Sequence, residues 1–287
     1  MEWFTLKARD GTSLAAAHFA PEKASEGEVL IVPAMGAGQE FYHPLASWLS
    51  ERGYGVTTFD YRGMGKSRDQ PLRKVHADVR GWAEWDCSAA LSWVIERADG
   101  ASIIWIGHSL GGQIIPFVVG HQHISQIITV ASGSGYWREN ALPLRRRVPF
   151  FWFFLVPVTL FLFGYFPGKR LKLIGDVPPN VMKQWRRWCL HPEYAMGAES
   201  AEVLYQQVNT PITSLSFTDD EFMSLENIQS LHACYCNAKR QMVRIQPQDL
   251  GIKRVGHFGF FRSSCGTSLW QQLLLPQLVK ARSNVAS

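Results

Sequence analysis

Ser102-Ile103-Ile104-Trp105-Ile106-Gly107-His108-Ser109-Leu110-Gly111-Gly112 decides the fold. A short apolar run, Ser102 to Ile106, reads as a buried parallel strand. A Gly-x-Ser-x-Gly turn ends it, and a helix-like run, Gly111 to Gly120, follows. Strand, sharp turn and helix together present a serine hydroxyl at the C-terminal end of a sheet. Small residues are needed two before and two after the serine, because the strained turn brings backbone segments close. The Leu110 N–H is left at the start of the following helix, free to meet a developing negative charge.

Working outward, strand-like runs alternate with helix-like ones. Trp3 to Ala8 and Ser13 to Phe19 flank Arg9-Asp10-Gly11-Thr12, a tight hairpin by its Asp-Gly pair. Val29 to Val32, Val56 to Phe59, Gln126 to Val130, Ile212 to Phe217 and Met242 to Ile245 read as further strands. Glu40 to Arg52 and Asp78 to Arg97 read as helices between them, and Thr267 to Ala281 is amphipathic, with Pro276 expected to kink or end it. The pattern specifies an α/β fold with a mostly parallel sheet covered on both faces.

The 287 residues are 46% hydrophobic and 18% charged, which excludes disorder and supplies a large core. A net charge of +5 is too mild to imply nucleic acid, and none is expected as a partner. The five cysteines, Cys87, Cys189, Cys234, Cys236 and Cys265, are scattered and odd in number, which suits reduced thiols. Glu2 stands where a signal peptide would carry Lys or Arg, so a cytoplasmic location is expected.

A serine is a weak nucleophile without a base beside it. Among the histidines, His257 lies in Val255-Gly256-His257-Phe258-Gly259, a glycine-flanked loop after the last strand. Such loops are where parallel sheets place function, although a histidine packed among aromatics would fit the same sequence. An acid that orients this histidine belongs between the two, and Thr218-Asp219-Asp220-Glu221 follows the strand Ile212 to Phe217. Asp220 is the first choice, ahead of Asp219 and then Glu221. Acids capping a helix start are the alternative.

These motifs resemble the α/β-hydrolase family, whose chain order of nucleophile, acid and histidine is matched by Ser109, Asp220 and His257. Asp60-Tyr61-Arg62-Gly63-Met64-Gly65-Lys66-Ser67 is similar to the family's Asp-x-Arg-Gly-x-Gly-x-Ser loop. Pro33-Ala34-Met35-Gly36 stands where many members carry His-Gly-x-Gly, and the correspondence makes Met35 the second backbone oxyanion donor beside Leu110. The resemblance implies a core of residues 1–137 and 208–287 with a helical cap inserted at 138–207. It implies a serine hydrolase that cleaves carboxylic esters or another small acyl substrate, with no metal or organic cofactor. Aminopeptidase-like amide hydrolysis or acyl transfer on the same fold is the nearer alternative, and a non-catalytic binding module the more distant one. Dehalogenases and epoxide hydrolases of this fold use an acidic nucleophile, which Ser109 is not.

Two other leads fail. Gly65-Lys66-Ser67 would end a phosphate-binding loop only with glycine at position 60, which is Asp60. His121-Gln122-His123 and Cys234-Tyr235-Cys236 each lack a second ligand pair at zinc spacing.

The insertion has its own signal. Val148 to Phe166 is uncharged and contains seven phenylalanines, while 143 to 190 holds nine Lys or Arg and one acid, Asp176. Pro149, Pro157 and Gly164 oppose a membrane span, and a span would separate Ser109 from Asp220 and His257 across the bilayer. The segment is read as a cap helix whose apolar face roofs an acyl pocket, with peripheral membrane contact as the other reading. Phe154, Trp185, Trp188 and Tyr136 are the expected substrate contacts. Trp185, Arg186, Arg187 and Trp188 alternatively brace the cap through cation–π stacking.

Overall fold

A computed structural model describes residues 1–283; the side chains at 265, 266 and 280–283, Cys265 among them, lie outside that description. Eight strands form one sheet: β1 (Glu2–Lys7), β2 (Ser13–Phe19), β3 (Gly27–Val32), β4 (Tyr54–Phe59), β5 (Ile103–His108), β6 (Gln126–Val130), β7 (Ile212–Phe217) and β8 (Arg240–Ile245). Their order is β1-β2-β4-β3-β5-β6-β7-β8. β1 and β2 form the expected antiparallel hairpin, β2 pairs antiparallel with β4, and every later pairing is parallel.

The sheet is a divider between two cores, as the residue alternation in its central strands requires. Ile103 and Trp105 of β5 pack on one side with Trp82, Leu91 and Val94. Ile104 and Ile106 pack on the other with Leu45, Leu49 and Trp270. The helix expected over Asp78 to Arg97 is continuous from Val79 to Ala98, with a π turn at Trp82–Cys87. β8 is an edge strand with a largely exposed first half, and its Arg240 and Arg244 discourage further pairing.

The strand order reverses direction at β3, which has β4 on one side and β5 on the other. The loops after β3 and β5 therefore diverge and leave a crevice at the C-terminal edge, where open α/β sheets bind ligands. Ser109 and Met35 both lie on that edge.

Two helix expectations are corrected. The run after Ser109 does not continue as a helix to Gly120. It makes one turn, Leu110–Gln113, then a 3-10 turn, Ile115–Phe117, because Pro116 has no N–H to donate back to the preceding turn. Pro276 does not end the last helix. A π turn at Trp270–Leu274, closed by the Leu275 N–H on the Trp270 carbonyl, shifts the bonding register before the proline, and the helix continues over Leu275–Ser283.

Between β6 and β7 the regular structure is helical, apart from one isolated bridge, Phe166 to Val177, with irregular loops between the helices. Gln184 holds this insertion to the body: its side-chain oxygen accepts from the Val79 and Arg80 N–H groups at 2.6 and 3.1 Å. Tyr194 Oη adds a second tie, donating to Gln113 Oε1 at 2.8 Å. The motif Asp60 to Ser67 is also structural. Asp60 accepts from Gln39 and Lys66, and the Arg62 guanidinium bridges Asp86 and Asp10 at 2.6–3.3 Å.

Candidate active site

Ser109 sits on the turn after β5 with φ 49° and ψ −111°, a left-handed conformation that ordinary residues avoid. The strain is held by close backbone packing. A Cβ on Gly107 would lie 2.5 Å from the Gly111 carbonyl oxygen, and one on Gly111 would lie 2.2 Å from that of Val32. Only glycine fits either place. The Ser109 N–H donates to Val130 O at 2.9 Å, fixing the turn to β6.

His257 is buried at 4% exposure, and its Nδ1 lies 2.9 Å from Asp220 Oδ2 and 3.1 Å from Asp220 Oδ1. Asp220 is itself held: Oδ1 accepts from the Phe222 and Met223 N–H groups at 2.8 and 3.0 Å. The neighbouring acids do not cap a helix, which begins later, at Leu225, with Ser224 as its cap. They grip the histidine's loop instead. Asp219 accepts from the Val255 and Gly256 N–H groups at 2.9 and 3.0 Å, and Glu221 accepts from the His257 N–H at 3.1 Å. Three consecutive acids thus divide one loop between them, the middle one taking the ring.

The ring also stands among aromatics, with Phe222 and Phe258 centroids each 5.0 Å away. The ring is thus both paired with Asp220 and packed among aromatics. Ser109 and His257 line the same cavity, and no hydrogen bond joins the Ser109 hydroxyl to the ring. Met35 lines it too, and neither the Met35 nor the Leu110 N–H has a protein acceptor among the described residues.

A residue the sequence reading passed over connects these parts. His108, inside the Gly-x-Ser-x-Gly turn, is fully buried. Its Nε2 lies 2.9 Å from His257 O, which only accepts, so Nε2 carries the proton. Nδ1 must then accept, and Tyr42 Oη donates to it at 2.9 Å. The Ala34 N–H in turn donates to Tyr42 Oη at 2.9 Å. One directed chain runs from the loop carrying Met35 to the loop carrying His257. Burial, with His257 adding to it, holds the His108 ring well below its ordinary pKa and keeps it neutral. Burial likewise pushes the Tyr42 phenol above its usual range.

The cavity has a volume of about 420 Å³ and an apolar wall of Trp152, Phe151, Val148, Leu144, Trp185 and Phe258. Of the four expected substrate contacts, only Trp185 lines it. Phe154 points outward at 55% exposure, stacked on Phe150. Trp188 is fully buried, its indole N–H on Glu199 and its ring 5.8 Å from Phe117. Tyr136 is outside the wall, to which the adjacent Gly135 contributes instead. Trp188 and Arg187 brace the insertion through Glu199, and Arg186 does so by donating to Trp152 O at 2.6 Å. A larger open groove of about 950 Å³ lies elsewhere, between Arg9, Trp93 and His121, and is lined by none of Ser109, Asp220 and His257.

A family model described as serine aminopeptidase, S33, matches residues 23–156, which include Ser109 but not Asp220 or His257. An uncharacterized protein, YfhR, of Salmonella typhimurium is 34% identical over 127 residues, 42% of this chain and 41% of its own. YfhR of Escherichia coli strain K12 is 36% identical over 120 residues, 39% of each chain. The matched stretch thus spans about two fifths of these relatives. Among solved structures, a soluble variant of monoglyceride lipase from Saccharomyces cerevisiae aligns at TM-score 0.73 and 16% identity, covering 98% of this chain and 97% of that one. An esterase from Pyrococcus furiosus aligns at TM-score 0.64 and 15% identity, covering 98% and 90%. At such identities the likeness concerns the fold. The sheet order, the turn at Ser109 and these structural likenesses give the chain the α/β-hydrolase fold, and the match over residues 23–156 is to a family of that fold.

Proposed function

We propose that the chain is a serine hydrolase that cleaves carboxylic esters with an apolar acyl or alcohol part. The observation that carries this reading is the 2.9 Å contact of His257 Nδ1 with Asp220, in a buried loop that shares an apolar cavity with Ser109. Ser109 Oγ attacks the acyl carbon while His257 Nε2 takes its proton. Asp220 holds the other ring nitrogen protonated and stabilises the imidazolium. The oxyanion is met by the Leu110 and Met35 N–H groups, each donor contributing about 3 kcal/mol when well placed. His257 returns the proton to the leaving alcohol, and water then releases the acyl group from Ser109 with His257 again as base. Residues 138–207 act as the cap that excludes water from this cavity.

The cavity wall favours an ester over an aminopeptidase substrate. Capturing a free amine requires a carboxylate, and none of the described lining residues is acidic, whereas Arg147 and Lys172 are both present. Glu199, an acid of the insertion, is committed to Trp188, Gln184 and Arg187.

A p-nitrophenyl ester series from acetate to decanoate tests the reading. Turnover that rises with chain length into the medium range, with aminoacyl-p-nitroanilides inert, is expected. Faster cleavage of the anilides would overturn the ester assignment.

A further inference from the structure

The helical stretch Leu142–Phe163 is apolar on two opposite faces. Val148, Trp152, Val156 and Thr159 are buried against the body. On the other side Phe150, Phe153, Phe154, Phe161 and Leu162 are exposed, Phe161 by 89% and Leu162 by 64%. A surface helix of a water-facing domain carries charge on that side, and here Val148 to Phe166 carries none. Among the described residues this is the one helix long and apolar enough to cross a bilayer, with mean hydropathy 1.5 and 22% of that window buried. Its inner face is nevertheless occupied by the body, so only the outer face is left to find a partner.

Three observations commit that face to an anionic lipid surface. Arg145, Arg146 and Arg147 stand exposed before it, and Lys169, Arg170 and Lys172 stand exposed after it. Cations flanking exposed aromatics are the arrangement that seats a helix at the headgroup boundary. The apolar surface also runs into the mouth of the Ser109 cavity: Phe150 and Leu173, 61% and 53% exposed, belong to both. Finally, a second copy of the chain docked face to face would set these six cations against their equals, which opposes self-association. We infer that the outer face of Leu142–Phe163 docks on an anionic bilayer, the cations on lipid phosphates and the cavity mouth turned toward the membrane. This gives Phe153, Phe154, Phe161 and Leu162 a role that the cavity does not.

The test is sedimentation of the purified full chain with large vesicles of three parts phosphatidylcholine to one part phosphatidylglycerol, against vesicles of phosphatidylcholine alone. Binding about tenfold tighter to the anionic vesicles is expected. Phe161→Glu with Leu162→Glu abolishes binding to both, and Arg145→Glu with Arg146→Glu removes the preference for the anionic lipid. Both variants keep the wild-type thermal unfolding midpoint, a control independent of ester turnover. Wild type remaining in the supernatant, or binding undiminished in the double glutamate variant of Phe161 and Leu162, would overturn the inference. So would a wild-type dimer by light scattering that this variant makes monomeric, since the face would then belong to a second copy.

Discussion

Tyr42 Oη donates to His108 Nδ1 across 2.9 Å, joining residues 66 positions apart and linking the Met35 loop to the carbonyl of His257. Tyr42→Phe removes that donor and leaves a buried ring nitrogen unpaired, a loss of about 1–3 kcal/mol of stability. The two loops are then free to shift relative to each other. A fall in kcat of up to about 100-fold, with KM little changed, is expected. Steady-state kinetics and thermal unfolding of Tyr42→Phe and His108→Ala check both effects, and unaltered kcat would reduce the chain of bonds to a structural brace.

Asp219 and Asp220 are adjacent but hold different parts of the same loop, so the two asparagine variants separate. Asp220→Asn presents the wrong partner to the His257 ring and lowers kcat by about 10⁴-fold. Asp219→Asn keeps its oxygen for one of the two loop N–H groups and loses charge-assisted bonding, about 1–3 kcal/mol of stability. Its activity, measured well below the unfolding midpoint, stays within about tenfold of wild type.

Arg62 is the buried hinge between Asp86 and Asp10. Burial pushes the Asp86 carboxyl up to about 6 against the pull of Arg62, so the pair contributes little net stability as a pair. Removing one partner is another matter. Arg62→Ala leaves an unpaired buried carboxylate and costs about 3–5 kcal/mol in chemical denaturation.

Glu28, on β3, has no partner for Oε2, and burial raises its pKa from 4.5 to about 7. The folded chain therefore binds this proton more tightly than the unfolded chain. The neutral carboxyl is tolerated below pH 4.5, and stability is lost as pH rises from about 4.5 to 7, by roughly 3 kcal/mol at most. Glu28→Gln has no charge to bury. It should match wild type near pH 4.5 and exceed it by about 1–3 kcal/mol at pH 8, read from denaturant midpoints at the two pH values.

His18 and His232 act in the opposite direction. Burial lowers both to about 4, so the unfolded chain takes up their protons first and stability falls as pH drops from 6.5 toward 4.

The positions of Ser109 and Asp220 were legible because each closely follows a strand end, and that of His257, well past β8, because glycines bound its loop. The sheet was legible because strands leave local signals. The tasks of Asp219 and Glu221 were not, since gripping backbone N–H groups depends on how two loops lie together. Tyr42 and His108 are likewise joined only by the fold. The insertion misled for a different reason. A helix apolar on every side gives no rotational phase, so nothing in the sequence distinguishes outward Phe154 from inward Trp152. Pro116 did carry its signal, the end of the helix after one turn, and the longer helix reading passed over it.

The most direct measurement is fluorophosphonate labelling of the purified chain, read by intact mass, beside Ser109→Ala and His257→Ala. One adduct on the wild type, absent from both variants, is the expected result and would establish a serine activated by that histidine. A folded wild type that takes no label, or labelling that persists without Ser109, would contradict the Ser109, His257 and Asp220 assignment.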